Sequence, residues 1–564
     1  MLAIHDISFP SDPGEDLGRG SPAARAASRL FAYAASLGFT GIQLGPQGQT
    51  SRDNPSPYDG AIFSRHLGLV PMGTWADLVD EAELSTWRLR SPGGPAQHGH
   101  AWDGARALRA VAYAELTAGA WPDLREELAA YRRDHAWCDR DGLYEALAVA
   151  RGVEDHRAWP VAERDLWFPA QPALVAALAA EHEEAIDRYA FGQLLAHREH
   201  VRVRGVLLRH RLALYGDLQV GYADRDAWVF RSVFFDGYRM GAPPSRTNPE
   251  GQPWNYPVLD PQQLRGDAGA LVAARFDSAF DRYDSMRIDH PHGLVCPWIY
   301  CADSANPLAA VQSGARVYDS PDLPDHPRLA AVAIARADQL DRSLPRYADA
   351  WVRDLDAAQV DRYAILFDML VASARRHGRD PLDLSCEVLS TMPRPLGEML
   401  RRTGLGRWRI TQKANLDDPR DVYRAENAEP RDWVMLGNHD TAPVFALIKS
   451  WRPAKRDAWA RHLSAVLHLA HPERLSEPGY LATAMLAELL ASRAENVSIF
   501  FADLFGCEER FNVPGLVDAA NWTLRLPHDF EALHAQRLAA GTALDLGLAV
   551  ELALAAQEHG AERR

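Results

Sequence analysis

The chain has 564 residues, of which 47% are hydrophobic and 24% are charged, a composition typical of a soluble globular protein and not of a disordered or membrane protein. This length allows one heavily decorated domain or several domains. A formal net charge of −15 argues against a nucleic-acid partner, because proteins that bind a phosphate backbone concentrate Lys and Arg on one face. We therefore expect a neutral or small substrate.

Cysteine usage and the N-terminal residues bear on the cellular compartment. The 5 cysteines are scattered without paired CxxC spacing, so the sequence predicts neither a disulfide framework nor a zinc site. The first residues, MLAIHDISFP, lack the basic and apolar regions of a secretion signal, and no stretch approaches about 18 uncharged apolar residues. We expect a cytoplasmic protein with no membrane partner, and the sequence leaves its oligomeric state open.

The predicted elements alternate between strands and helices. Ser21 and Pro22 are typical of a helix start, and the helical pattern after them ends at Gly38. A short apolar strand is predicted over residues 39–46. Similar strands follow at residues 217–221, 285–289, 382–387, 407–412, 433–437 and 496–504. Helical patterns lie between them, which favours an α/β fold with a parallel sheet, either closed into a barrel or doubly wound.

Two stretches are too long for simple strand–helix repeats. Residues 66–215 are rich in Trp, Arg and Ala and carry long helical patterns, and residues 303–357 are rich in Ala and interrupted by Pro. We interpret residues 1–564 as a single barrel, with 66–215 a mainly helical insertion subdomain and 303–357 a second insertion.

Three acids stand at or just after the ends of predicted strands: Asp289, Glu387 and Asp440. An acid in this position often caps a helix or forms an ion pair, so each one alone is a weak signal. In a parallel barrel, however, all strand C-termini open onto one face, where the three carboxylates would converge. With Arg287 and His439 beside them, they predict a carboxylate active site.

Cofactor and metal signals are weak. His290 and His292 flank Asp289, but no third ligand at a recognisable spacing accompanies them, so we predict no metal. No glycine-rich phosphate loop occurs either, so we predict no nucleotide or other cofactor.

Several longer motifs resemble those of a single protein family. They are DSMRIDH (284–290), CEVLSTMPRPLGEMLRRTGL (386–405), NHDT (438–441), LGPQGQTSRDNPSPYDGAIFS (44–64), GQPWNYPVLDP (251–261) and FNVPGLVDAANWTLRLP (511–527). In their order and number they resemble glycoside hydrolase family 77, the 4-α-glucanotransferases, nearly from end to end. The resemblance implies a (β/α)8 TIM barrel with large helical insertions in the βα loops, and a maltooligosaccharide or α-glucan substrate. We assign the last motif a structural role.

The resemblance also implies a retaining double displacement. Asp289 would attack the anomeric carbon while Glu387 protonates the leaving oxygen, and the two carboxyls would lie about 5–5.5 Å apart. Asp440 would stay ionised and bind hydroxyls of the distorted sugar. Arg287 would keep the nucleophile charged. We further expect the apolar neighbours of Glu387 in sequence to raise its pKa by desolvation.

Substrate contacts are expected from Tyr58, Trp254 and His439. A pyranose ring presents an apolar face that an aromatic ring covers while polar neighbours bind the hydroxyls. Ordinary core packing is the alternative for Tyr58 and Trp254.

Some positions depart from the family pattern. Glu387 is followed by Val388 where the family has Asp, and Pro291 and His292 stand where the family has an aromatic residue and Arg. The 303–357 insertion follows the strand of Asp289, so we expect it to form a lid or wall over the acceptor subsites that excludes water. The alternatives are a glucan hydrolase, a transferase with an unusual acceptor, and a non-catalytic glucan-binding protein.

Overall fold

Thirteen β-strands occur in the computed structural model, which describes residues 1–89, 93–246, 248–515 and 518–562. Their bounds are β1 (Leu2–Ala3), β2 (Gly41–Gln43), β3 (Ala213–Leu218), β4 (Tyr238–Ala242), β5 (Gln252–Tyr256), β6 (Ser285–Ile288), β7 (Trp298–Cys301), β8 (Ala315–Arg316), β9 (Ser385–Cys386), β10 (Trp408–Ile410), β11 (Trp433–Met435), β12 (Asn496–Val497) and β13 (Ile499–Phe500).

Nine of these strands close into a parallel barrel. One sheet has the order β13-β1-β2-β3-β6-β9 and another the order β10-β11-β12, and every pair in both is parallel. A parallel bridge from Cys386 to Arg407 joins β9 to β10. Only Ser498 separates β12 from β13, so these two act as one strand and the barrel has eight strand positions. The expected (β/α)8 barrel is confirmed.

The α-helices alternate with these strands and fill the insertions between them. Their bounds are α1 (Arg25–Ser36), α2 (Met72–Ala76), α3 (Glu81–Trp87), α4 (His98–Thr117), α5 (Pro122–Asp134), α6 (Trp137–Arg151), α7 (Val161–Arg164), α8 (Pro172–Glu181), α9 (Glu183–Arg209), α10 (Asp224–Val229), α11 (Asp267–Arg282), α12 (His292–Val295), α13 (Pro307–Gln312), α14 (Ala357–Tyr363), α15 (Ile365–Arg376), α16 (Arg394–Thr403), α17 (Val444–Ser450), α18 (Pro453–Leu467), α19 (Pro478–Ala491), α20 (Phe501–Leu504), α21 (Phe530–Ala539) and α22 (Leu546–Glu562).

Each predicted strand overlaps an observed one, but the 496–504 prediction covers β12, β13 and helix α20, and β1 was not predicted. The largest shift is at β3, which begins at Ala213 and ends at Leu218, where we predicted 217–221. Helix α1 begins at Arg25, later than predicted, because the Ser21 hydroxyl accepts from the Ala23 amide in a turn that precedes the helix. Gly38, with φ +87°, ends that helix as expected.

Between β2 and β3 lie helices α2 to α9, which have apolar cores of their own. One core gathers residues of α4, α5 and α9 around Leu108 and Phe191. A second gathers residues of α6 around Leu147 and also includes Trp228 of α10. No helix in the described ranges is long and apolar enough to cross a bilayer. The cytoplasmic location stays a prediction.

A second, antiparallel sheet was not foreseen from the sequence. Its order is β5-β4-β7-β8, so two of its strands come from the segment after β3 and two from the segment after β6. The 303–357 segment contributes α13 and β8, and β8 pairs with β7. Because this sheet is built from segments that leave β3 and β6 at their C-terminal ends, it stands at the end of the barrel where Asp289 and Glu387 emerge.

Candidate active site

A single arginine connects the acids of three neighbouring strands. Asp217 of β3 and Arg287 of β6 are directly paired across the two strands, and their side chains meet at 2.7 Å. Arg287 Nη2 also lies 3.0 Å from Asp289 Oδ1 and 2.6 Å from Glu387 Oε2. All four side chains are at most 9% exposed. The barrel register thus brings three carboxyls onto one guanidinium.

The carboxyls of Asp289 and Glu387 lie next to each other. Their oxygens are within 4.8 Å of one another, and each group affects the pKa of the other. Burial raises the pKa of Asp289 to about 6, against the opposing charge of Arg287. Burial also disfavours ionised Glu387, but the charges of Arg287 and then His290 outweigh it and hold the pKa of Glu387 at about 2. Our expectation of a raised Glu387 pKa is therefore wrong for this arrangement.

The reason is that the sequence neighbours of Glu387 do not dominate its surroundings. Cys386 and Val388 are fully buried, but the carboxyl of Glu387 extends to Arg287, which the sequence analysis assigned to Asp289 alone. One cation stands against three buried acids, and burial also raises the pKa of Asp217 to about 7. The pair of Asp289 and Glu387 consequently retains one proton between about pH 2 and about pH 6.

Asp440 occupies a turn beyond β11 and is held by two asparagines. Its backbone amide donates to Asn438 Oδ1 at 3.1 Å, and Asn512 Nδ2 donates to its Oδ1 at 2.7 Å. Asn438 Nδ2 also reaches Glu387 Oε1 at 3.5 Å. Burial and the charge of Glu387 raise the pKa of Asp440, while the Asn512 hydrogen bond opposes that rise.

Tyr58 and His439 pack against each other beside Arg287. The Tyr58 hydroxyl donates to Asp217 Oδ2 at 2.9 Å, and its ring stacks on His439 with 5.1 Å between centroids. Burial, together with the Arg287 charge, lowers the pKa of His439 to about 3. His439 is therefore a neutral imidazole that packs on Tyr58, with Nε2 at 3.5 Å from Asp440 Oδ1.

A cavity of about 890 Å³ opens beside these groups. Trp254 of β5, His290, Glu387 and Asp440 line it, and the Trp254 and His290 rings are 4.9 Å apart. Asp289 instead lines a narrow neighbouring cavity of about 30 Å³. Gly293 borders both spaces. The structure thus brings the predicted residues together, with Asp289 behind the wall of the larger cavity.

Sequence reasoning missed three residues of this site. Asp217 carries a charge inside a buried strand, an unusual placement that is itself a signal for a paired acid. His290 has φ +39° and Nε2 at 3.8 Å from Glu387, which no sequence pattern reveals. Asn512 lies in the motif to which we gave only a structural role, and it contacts Asp440 directly. Residues 516–517 of that motif lie outside the described ranges.

Asp289, His290 and Glu387 also have the spacing of a metal-binding group. Arg287 already pairs with both carboxylates, at 3.0 and 2.6 Å, so a divalent cation there would lie beside a buried positive charge. His292 is hydrogen-bonded to the Thr391 carbonyl at 2.9 Å. The arrangement favours an acid–base site, and the expected absence of a metal stays a prediction.

Comparisons with known proteins agree with one another. A family model described as 4-alpha-glucanotransferase, glycoside hydrolase family 77, matches residues 5–530. The 4-alpha-glucanotransferase of Chlamydia pneumoniae is 24% identical over 62% of this chain and 59% of its own length. That of Thermus thermophilus is 28% identical over 53% of this chain and 59% of its own. The chain therefore matches less than two thirds of either relative.

A solved structure shares the fold over nearly the whole chain. The amylomaltase from Streptococcus agalactiae in complex with acarbose superposes with a TM-score of 0.74 and 15% sequence identity. The match covers 96% of this chain and 99% of that one. At this sequence identity the match demonstrates that the two chains share a fold.

Proposed function

The chain belongs to glycoside hydrolase family 77, and we propose that it is a 4-alpha-glucanotransferase that moves α-1,4-glucan segments between maltooligosaccharides with retention at the anomeric carbon. The observation that carries the proposal is the pair of Asp289 and Glu387, whose oxygens lie within 4.8 Å of one another at the strand ends of a barrel. A retaining enzyme needs its two carboxyls close, at about 5–5.5 Å, because no water stands between nucleophile and sugar.

The first step breaks the glycosidic bond. Glu387 donates its proton to the glycosidic oxygen as that oxygen leaves with the electron pair, and Asp289 forms a bond to the anomeric carbon. In the second step Glu387 takes the proton of an acceptor hydroxyl, whose oxygen displaces Asp289 from that carbon. Two inversions give net retention.

Substrate binding has to move the proton of this pair from Asp289 to Glu387. In this structure Asp289, with the higher pKa, holds the proton better than Glu387 does. A pyranose ring that enters between the two carboxyls separates them and leaves Asp289 paired with Arg287. Glu387, now facing the glycosidic oxygen in a drier site, becomes the group that holds the proton.

The remaining residues orient the sugar. Asp440, held by Asn512, accepts hydrogen bonds from ring hydroxyls next to the reacting carbon. Trp254 covers an apolar sugar face. Tyr58 and His439 pack beside Arg287, and Arg287 balances the charge of the nucleophile.

Incubation with maltotriose tests the proposal. A transferase produces glucose, maltose and also chains longer than maltotriose, and Asp289→Asn abolishes all of them. Products that are only shorter would indicate a hydrolase. A chain that binds maltotriose without turnover would be a glucan-binding protein and would overturn the proposal.

A further inference from the structure

Part of the 303–357 insertion is held against the antiparallel sheet by one buried arginine of β8. We call residues 344–351 the strap. Arg316 of β8, only 3% exposed, donates to three successive strap carbonyls: those of Arg346 at 3.1 Å, Tyr347 at 2.8 Å and Ala348 at 3.2 Å. A rigid guanidinium fork that binds three neighbouring carbonyls fixes the path of the strap.

The strap is also tied to the loop that carries Glu387. Asp349 Oδ2 accepts a hydrogen bond from the Met392 amide at 2.9 Å. Met392 lies on the segment between β9 and α16, which begins with Glu387. The position of the strap is thus fixed relative to the acid/base carboxyl by hydrogen bonds on both sides.

A cavity of about 540 Å³ lies between the strap and this loop. Tyr347 and Asp349 line it on one side, and Ser390 and Thr391 on the other. Ser390 and Thr391 also line the cavity of about 890 Å³ that contains Glu387. The two cavities therefore adjoin at Ser390 and Thr391, and we call them together the trench.

The direction of the trench identifies what it binds. The acid/base residue protonates the leaving chain and later activates the acceptor, so both occupy the Glu387 side of the reacting carbon. The lining combines polar side chains with an ion pair between Arg246 and Asp421 at 2.6 Å, which suits a neutral sugar chain. The Tyr347 ring packs against the Trp298 cluster and borders the trench.

We propose that the strap forms an outer acceptor subsite, in which Tyr347 determines acceptor specificity by covering a sugar ring remote from the reacting bond. This proposal rests on the proposed transferase function and adds the part of the acceptor that is recognised. A long acceptor held there displaces water from the trench, which favours transfer over hydrolysis. Glucose is too short to reach the strap, so the strap does not strengthen the binding of glucose as an acceptor.

The test compares two acceptors in Tyr347→Ala. With α-maltosyl fluoride as donor, we expect the KM for maltotriose as acceptor to rise about 5-fold to 10-fold, the size of one lost aromatic contact. The KM for glucose stays unchanged, and the hydrolysed fraction of donor rises. Tyr347→Leu, which keeps apolar packing but lacks a flat ring, gives the same result if Tyr347→Ala folds poorly.

Phe168→Ala is the matched control, since Phe168 is an aromatic residue 56% exposed on the helical insertion, and it leaves both KM values unchanged. Equal KM values for maltotriose in the unaltered chain and in both Tyr347 variants would overturn the strap proposal while leaving the transferase intact. Absence of transfer by the unaltered chain would overturn the proposed function, and the strap proposal with it.

Discussion

Two regions at the same end of the barrel are built on different principles. In the cluster of Asp217, Arg287, Asp289 and Glu387, each residue lies on a barrel strand or directly after it, and the contacts join charged side chains. In the strap, one guanidinium binds three backbone carbonyls, and the Asp349 side chain accepts from a backbone amide. The chemistry is positioned by strand register and acceptor recognition by inserted loops, which agrees with the general division of labour in this fold.

The largest effect is expected in the cluster, from Glu387→Gln. Without a proton donor, turnover of maltotriose should fall about 10²-fold to 10⁴-fold. The first-turnover burst of fluoride from α-maltosyl fluoride should keep nearly its full rate, because fluoride leaves without protonation, while later turnovers are slow because the second step lacks its base. A burst rate that falls as much as maltotriose turnover, measured by fluoride electrode and chromatography, would show that Glu387 is not the acid.

Arg287→Lys tests whether one guanidinium holds the cluster together. Lysine has the charge without the fork, so at least one buried carboxyl loses its partner, and the free energy of unfolding should fall by about 3–5 kcal/mol. Arg342→Lys is the matched control: its pair with Asp322 is about half exposed, and the expected change is about 0–1 kcal/mol. Similar denaturant midpoints for the two variants would contradict the account.

The shared proton predicts opposite pH profiles for two donors. Because burial raises the pKa of Asp289 to about 6, the pair loses its one proton as pH rises through about 6. For maltotriose, kcat/KM should then fall about tenfold per pH unit. For α-maltosyl fluoride, which needs only the ionised nucleophile, fluoride release should instead rise through the same range. Two profiles of the same shape would exclude a shared proton.

The smallest effect is expected from Trp254, which lines the cavity of about 890 Å³. Trp254→Ala should raise the KM for maltotriose about 5-fold to 10-fold and change kcat little, because the ring binds ground state and transition state alike. Phe168→Ala serves again as the exposed aromatic control. A fall in kcat with unchanged KM would move Trp254 into the chemical step.

Sequence patterns were sufficient for the barrel and for most of its site. Short apolar runs at the right spacing predict strands, and acids after those strands must converge at one end. The patterns did not reveal that Arg287 contacts Glu387, because that contact depends on register between β6 and β9. In the antiparallel sheet, Gln252–Tyr256 was missed because it is half exposed and lacks a continuous apolar run. The apolar run of Trp298–Cys301 could have been predicted as a strand.

The most direct test of the central claim is to trap the glycosyl-enzyme. Glu387→Gln incubated with α-maltosyl fluoride should accumulate a covalent maltosyl adduct, because the first step needs no acid while the second lacks its base. Peptide mass mapping should place the adduct on Asp289, and Asp289→Asn should abolish it. An adduct on another residue, or rapid release of an inverted product with no adduct, would contradict the account.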